Sequence, residues 1–184
     1  IIDAAIAAEK NAEMPEWVKA DNNKLKKIAI NKKSKQSKLF LPQTIKDLEK
    51  WCNKNPDGIL VGGATDVGLW VTKKLMDLKQ ICFIGQISEM NQIKTANQSL
   101  NIGACTTIET LRNNIKISHP EFSELLRRYG STQVRNAATI GGNIANGSPI
   151  GDSSPALIAL GATISLNLNG KHRTIPIEEF FIKY

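Results

Sequence analysis

Apolar positions fall at helical spacing in some stretches and alternate in others, and the two periods divide the chain into elements. Ile45, Leu48 and Trp51 form an i, i+3, i+6 stripe behind Thr44, a helix cap, and this helix stops near Asn53. Asn55-Pro56-Asp57-Gly58 is a turn. Ile59-Leu60-Val61 reads as a short buried strand that runs into Gly62-Gly63-Ala64-Thr65-Asp66-Val67-Gly68. A helical pattern follows through Leu69, Trp70, Thr72 and Leu75. Gln80 to Ile84 reads as a second buried strand, with Leu78, Ile81 and Phe83 apolar. Ile93-Lys94 and Leu100 to Ala104 form a hairpin across Ala96-Asn97-Gln98. Thr106-Thr107 caps a helix that buries Ile108 and Leu111. Pro120 opens another, with Phe122, Leu125 and Leu126 inward. Ser153-Ser154-Pro155 reads as a helix cap with proline at the first helical position, and a short helix over Ala156 to Leu160 follows, ended by Gly161. Ile164, Leu166 and Leu168 then alternate into Asn169-Gly170, a strong hairpin signal, and Pro176 marks the returning strand as an edge.

This order predicts an α+β fold class, a βαβ-like lobe followed by a mixed or antiparallel one. Residues 1–39 fall outside it. Ala4 to Lys10 allow a helix, Pro15 interrupts, and residues 22–38 are polar, lysine-rich and weakly patterned. The predicted organisation is a linker or arm over 1–39, with modest helix content, and a folded domain over 40–184.

Composition narrows the classes. The chain has 184 residues, 41% of them hydrophobic, and a net charge of +7. The basic excess is concentrated at Lys24, Lys26, Lys27, Lys32, Lys33, Lys35 and Lys38. That run has no interleaved aromatics and no nucleic-acid motif, so it reads as a solvated linker. No apolar run approaches the roughly 20 residues of a membrane span. The chain begins at Ile1 rather than Met, which suggests a fragment or a processed product. Cys52, Cys82 and Cys105 form no C-x-x-C pair, so no zinc or iron–sulfur ligand set is visible. Cys82 and Cys105 read as small core residues, and the usage suits a reducing cytoplasm. His119 and His172 are far apart and read as surface residues.

The candidate chemistry lies in two glycine-rich stretches. The first, Gly62 to Gly68, joins a strand to a helix start, an arrangement that offers free N–H groups to an anion. It is neither a Walker A loop nor a G-x-G-x-x-G fingerprint. The plain alternative is a tight connection capped by Thr65 or Asp66. The second runs from Gln133 to Asp152. Its Gly141-Gly142 pair lets backbone take positive φ or approach another group closely. Thr139, Asn143, Asn146, Ser148 and Asp152 supply short donors and acceptors around that pair. It reads as a backbone-lined concavity for a polar ligand such as a diphosphate, or as a pair of turns in a long loop; the stretch alone does not decide. If the two stretches face each other they form a groove for an extended dinucleotide, and Tyr129 could stack on an aromatic ring. No Ser–His pair or carboxylate pair suggests hydrolysis, so any hard chemistry belongs to a cofactor.

The segments Gly62 to Trp70 and Gln133 to Leu157 together resemble the FAD-binding domain of the molybdenum hydroxylases. The resemblance covers about Phe40 to Tyr184 and is nearest the small (iron–sulfur/FAD) subunit of bacterial xanthine dehydrogenase. It implies a two-lobed flavin domain of the vanillyl-alcohol-oxidase (PCMH) type. Val61, Gly62, Gly63, Ala64, Thr65, Asp66, Val67 and Gly68 would hold the FAD diphosphate. Ala138, Thr139, Gly142, Asn143, Asn146, Ser148 and Asp152 would supply the second loop, and Tyr129 would lie beside the isoalloxazine. It also implies electrons passing from molybdenum, during hypoxanthine or xanthine oxidation, through two [2Fe–2S] clusters to FAD and then to NAD. The iron–sulfur domains would precede this segment, further flavin contacts would follow it, and molybdopterin would belong to a large partner subunit. A flavin subunit acting on an aldehyde or N-heterocycle is an alternative implication. A non-catalytic assembly module docking through its basic arm is another.

Overall fold

In the three-stranded sheet the central strand is the last to arrive. β1 (Leu39–Phe40) and β2 (Ile59–Val61) both pair in parallel with β3 (Ile81–Phe83), giving the order β1-β3-β2. A computed structural model describes residues 16–31, 39–96, 99–147 and 151–182. The chain divides into two units, Ile1–Ser37 and Lys38–Tyr184.

In the first unit, α1 spans Glu16–Asn31. It runs well into the segment expected to be a weakly patterned arm. Lys, Ala, Leu and Glu are strong helix formers, and two i, i+3 pairs, Lys19–Glu16 at 2.7 Å and Lys24–Asp21 at 3.3 Å, support the helix. The helix expected over Ala4 to Lys10 lies outside the described residues.

The second unit opens with the parallel sheet. α2 (Ile45–Lys54) is capped as expected: Asp47 N–H donates to Thr44 Oγ1 at 3.2 Å. Phe40 stacks on Trp51 with ring centroids 6.1 Å apart. β2 leads through the first glycine loop into α3 (Val67–Thr72). That helix is shorter than its sequence pattern suggested: Leu75 is beyond its end, at φ +54° and exposed. Cys82, on the central strand, is fully buried, and Cys105 is nearly so, which makes both the core residues expected. Burial pushes the Cys105 thiol pKa up to about 11.

The remainder of this unit is hairpins and short helices. β4 (Ile93–Ala96) and β5 (Ser99–Ile102) pair antiparallel with Ile93 opposite Ile102. α4 (Ile108–Asn114) is capped by Thr107, whose Oγ1 accepts from Thr110 N–H at 3.1 Å. α5 spans Pro120–Arg127 with proline at its first turn. The stretch expected to be a loop is instead two helices, α6 (Thr132–Ala137) and α7 (Ile140–Asn146). Ser131 and Thr139 cap them, accepting from Val134 N–H and Gly142 N–H. Glycines placed just behind a threonine cap are compatible with helix when tertiary contacts hold the turn.

α8 (Ser153–Ala159) begins earlier than expected. Ser153 is already helical, so Pro155 sits within the first turn rather than at its first position. β6 (Thr163–Leu168) and β7 (Lys171–Pro176) form the expected hairpin, with Asn169 and Gly170 at φ +55° and +76°, the pairing a type I′ turn requires. One apolar cluster joins α4, α5, α7 and α8: Ile108, Leu111, Leu126, Ile140, Ile144 and Leu157 are all buried in it. The α+β expectation holds, with a parallel lobe first and antiparallel hairpins afterwards. Among the described residues no helix is long and apolar enough to cross a membrane.

Candidate functional site

The loop after β2 exposes its backbone because its amides have nowhere else to go. Gly68 N–H donates to Ala64 O at 2.8 Å and Leu69 N–H to Asp66 O at 2.9 Å, which starts α3. The amides of Gly63, Ala64, Thr65 and Asp66 find no acceptor among the described residues. Ala64 has φ +59°, a left-handed conformation that costs about 1–3 kcal/mol for a residue with a Cβ. Asp66 stands at the N-cap of α3, but its carboxylate makes no capping hydrogen bond.

The second segment lies directly against this loop. A Cβ on Gly63 would fall 1.8 Å from the Ala137 carbonyl oxygen, and one on Gly62 would fall 2.7 Å from Thr139 Oγ1. Thr139 Oγ1 would likewise be 2.8 Å from a Cβ on Gly142. The threonine hydroxyl is thus wedged between two positions that must lack side chains. Gly141 faces away, with its missing Cβ 2.5 Å from Ala104 Cβ, and its N–H donates to Ala104 O at 2.9 Å. Of the two uses the sequence left open for Gly141-Gly142, positive φ or close approach, the structure shows the second: neither adopts positive φ, and both let another group come close. The left-handed residue is Gly147, which closes α7 at φ +58°.

Together the two segments enclose a cavity of about 400 Å³. Of the residues singled out from sequence, Gly62 to Val67 line it from the first loop. Tyr129, Ala138, Thr139, Gly142, Asn143 and Asn146 line it from the second region. Val61 is buried in the sheet beneath, and Gly68 lies in α3 outside the lining. Asp152 borders a neighbouring depression with Arg128 and Glu124. Ser148 lies outside the described residues. Leu60, Trp70 and Ala145 also line the cavity and were missed. Trp70 is one turn into α3, and its helical spacing reads as core.

The walls are braced by polar contacts. Asn143 Nδ2 donates to the Tyr129 hydroxyl at 2.9 Å, and Ser153 Oγ donates to Asn143 Oδ1. Burial raises the Tyr129 phenol pKa, and the carboxylates of Asp66 and Asp152 add to that shift. Behind the wall, Arg135 donates to the carbonyls of Arg127, Tyr129 and Gly130 at 3.1, 3.2 and 3.0 Å. Arg135 Nε donates to Glu109 Oε2 at 2.8 Å. Arg112 and Arg135 hold the Glu109 carboxyl down to about 2. Neither Arg135 nor Glu109 stood out in the sequence. Among the described residues no cluster of His, Cys, Asp and Glu could hold a metal ion.

Comparison with known proteins gives this geometry a family. The family described as "FAD binding domain in molybdopterin dehydrogenase" matches residues 33–184. Xanthine dehydrogenase 1 of Arabidopsis thaliana is 31% identical over 157 residues, covering 79% of this chain and 12% of that protein. The glyceraldehyde dehydrogenase medium chain of Sulfolobus acidocaldarius is 32% identical over 143 residues, 77% of this chain and 50% of that one. The carbon monoxide dehydrogenase of Hydrogenophaga pseudoflava, in a form that lacks the Mo-pyranopterin moiety of the molybdenum cofactor, matches in structure with a TM-score of 0.74 at 25% identity. That match covers 78% of this chain and 51% of the other. The chain therefore spans only a small part of the xanthine dehydrogenase and half of the shorter relatives. With most of the chain matched, and two segments distant in sequence meeting at one cavity, the protein belongs to the family of FAD-binding domains of molybdopterin dehydrogenases, an oxidoreductase family.

Proposed function

We propose that this chain is the flavin-holding electron-transfer portion of a xanthine dehydrogenase-type molybdenum hydroxylase. Residues 40–184 form the FAD domain and residues 1–39 a linker from preceding iron–sulfur domains. The observation that carries the reading is the run of amides from Gly63 to Asp66, without acceptors among the described residues, in a loop that lines the cavity shared by both glycine segments. Such a run suits a diphosphate, because backbone N–H groups give up nothing within the protein to bind it. The absent Cβ atoms at Gly62, Gly63 and Gly142 let the second segment pack directly against this loop, so that both line one cavity.

When bound, FAD supplies the redox chemistry that links one-electron donors to a two-electron acceptor. The chain's own residues bind and orient it. Gly63, Ala64, Thr65 and Asp66 hold the diphosphate. Thr139, Gly142, Asn143, Asn146 and Asp152 contact the remaining polar groups, and Tyr129 walls the ring. In the whole enzyme, electrons from hypoxanthine or xanthine oxidation reach this domain through [2Fe–2S] clusters on other domains and leave to NAD. The match to xanthine dehydrogenase 1 supports this assignment. The match to a glyceraldehyde dehydrogenase medium chain favours an aldehyde hydroxylase as the second reading.

The test is anaerobic addition of NADH to the FAD-loaded chain. Bleaching of the flavin absorption is expected. A flavin that stays oxidised with NADH but is bleached by dithionite would remove NAD from the account. The substrate class is decided by assaying the intact complex with purines and aldehydes in parallel, and turnover of purines is expected.

A further inference from the structure

A buried serine that never touches the cavity sets the direction of a hydrogen-bond chain that ends in it. Ser153 is fully buried, and its hydroxyl donates to Asn143 Oδ1. An amide has one acceptor end and one donor end. With the oxygen committed to Ser153, the Nδ2 end faces Tyr129 and donates to its oxygen at 2.9 Å. The phenol oxygen is therefore an acceptor within the protein, and its own proton has no acceptor among the described residues. Asn143 and Tyr129 both line the cavity. The other end of the tyrosine is fixed as well, because Arg135 donates to its backbone carbonyl.

We propose that Ser153 and Asn143 position Tyr129 as a hydrogen-bond donor to an acceptor atom of the bound FAD. This rests on the FAD reading above and adds to it a role for the phenol hydroxyl, beyond an aromatic surface. Ser153 is a positioning residue, acting only through Asn143. The phenol is protonated at neutral pH, since burial and the nearby carboxylates of Asp66 and Asp152 both raise its pKa. The donor is therefore present under ordinary conditions.

The experiment is a double-mutant cycle on the full chain, read by FAD affinity from flavin fluorescence and by phenol titration without FAD. Tyr129→Phe is expected to weaken FAD roughly threefold to tenfold, the loss of one hydrogen bond. Ser153→Ala is expected to weaken it by a smaller factor, and to cost less once Tyr129→Phe is in place. Without FAD, Ser153→Ala is expected to raise the pKa of the Tyr129 phenolate absorption, as the Asn143 N–H is released; the Tyr129→Phe spectrum isolates that signal from Tyr184. If Tyr129→Phe binds FAD as tightly as the unaltered chain, or Ser153→Ala costs the same in both backgrounds, this proposal falls while the FAD reading stands. If the unaltered chain binds no FAD, both fall.

Discussion

The two glycine-rich segments have similar composition and opposite roles. In the first, the amides of Gly63 to Asp66 find no acceptor among the described residues, and Ala64 is held at positive φ. In the second, the amides of Gly141, Gly142 and Asn143 are all paired, to Ala104 O, Thr139 Oγ1 and Thr139 O. One segment spends its backbone on the cavity and the other spends it on its own fold. The glycines of the second are needed for packing: Gly141 against Ala104, and Gly142 against Thr139. Glycine content alone does not distinguish a loop built to bind from a segment built to be approached. The unpaired amides do.

The largest expected break of this comparison is Gly63→Ala. The added methyl would meet the Ala137 carbonyl, which is backbone and cannot rotate aside. A loss of about 3 kcal/mol is expected, at the top of the overpacking range, and a denaturant midpoint measures it. The next concerns what holds the second segment in place. Glu109→Gln should cost about 2 kcal/mol at neutral pH by removing charged hydrogen bonds from Arg112 and Arg135. Because the Glu109 pKa is lowered in the folded chain from 4.5 to about 2, its contribution is present above 4.5 and is lost as pH falls toward 2. Acid unfolding followed by circular dichroism should show a shallower slope over that window in the Gln variant. The smallest effect sharpens the contrast within the first loop. Gly68 is in α3, its Cβ would meet nothing within 4 Å, and its φ is not positive. Gly68→Ala should gain about 0.5 kcal/mol in thermal melts and leave FAD affinity unchanged.

The parts of this account that were legible in sequence are those where local chemistry decides. Thr44 and Thr107 cap the helices they precede, and Asn169-Gly170 turns the hairpin it announces. Those outcomes depend on residues within four positions of one another. The second glycine segment was misread as a loop because its helices are held by distant partners: Ile140 N–H on Thr106 O and Ile108 N–H on Ala138 O, with Ile140 and Ile144 in the core. Glycine and asparagine argue against helix locally, and tertiary contacts override them. Arg135 was unreadable for the same reason, since its acceptors Glu109, Arg127 and Tyr129 are gathered only by the packing of α4, α5 and α6. The meeting of the two loops was legible as a condition, and the structure supplies its mechanism: the Thr139 hydroxyl between two glycines.

The central claim is that these two segments make one FAD site. The most direct measurement is titration of FAD into the purified chain, followed by gel filtration with the visible spectrum recorded across the protein peak. The unaltered chain and Gly68→Ala should emerge carrying a flavin spectrum, and Gly63→Ala should emerge colourless. Flavin retained equally by Gly63→Ala, or by none of the three, would contradict the account.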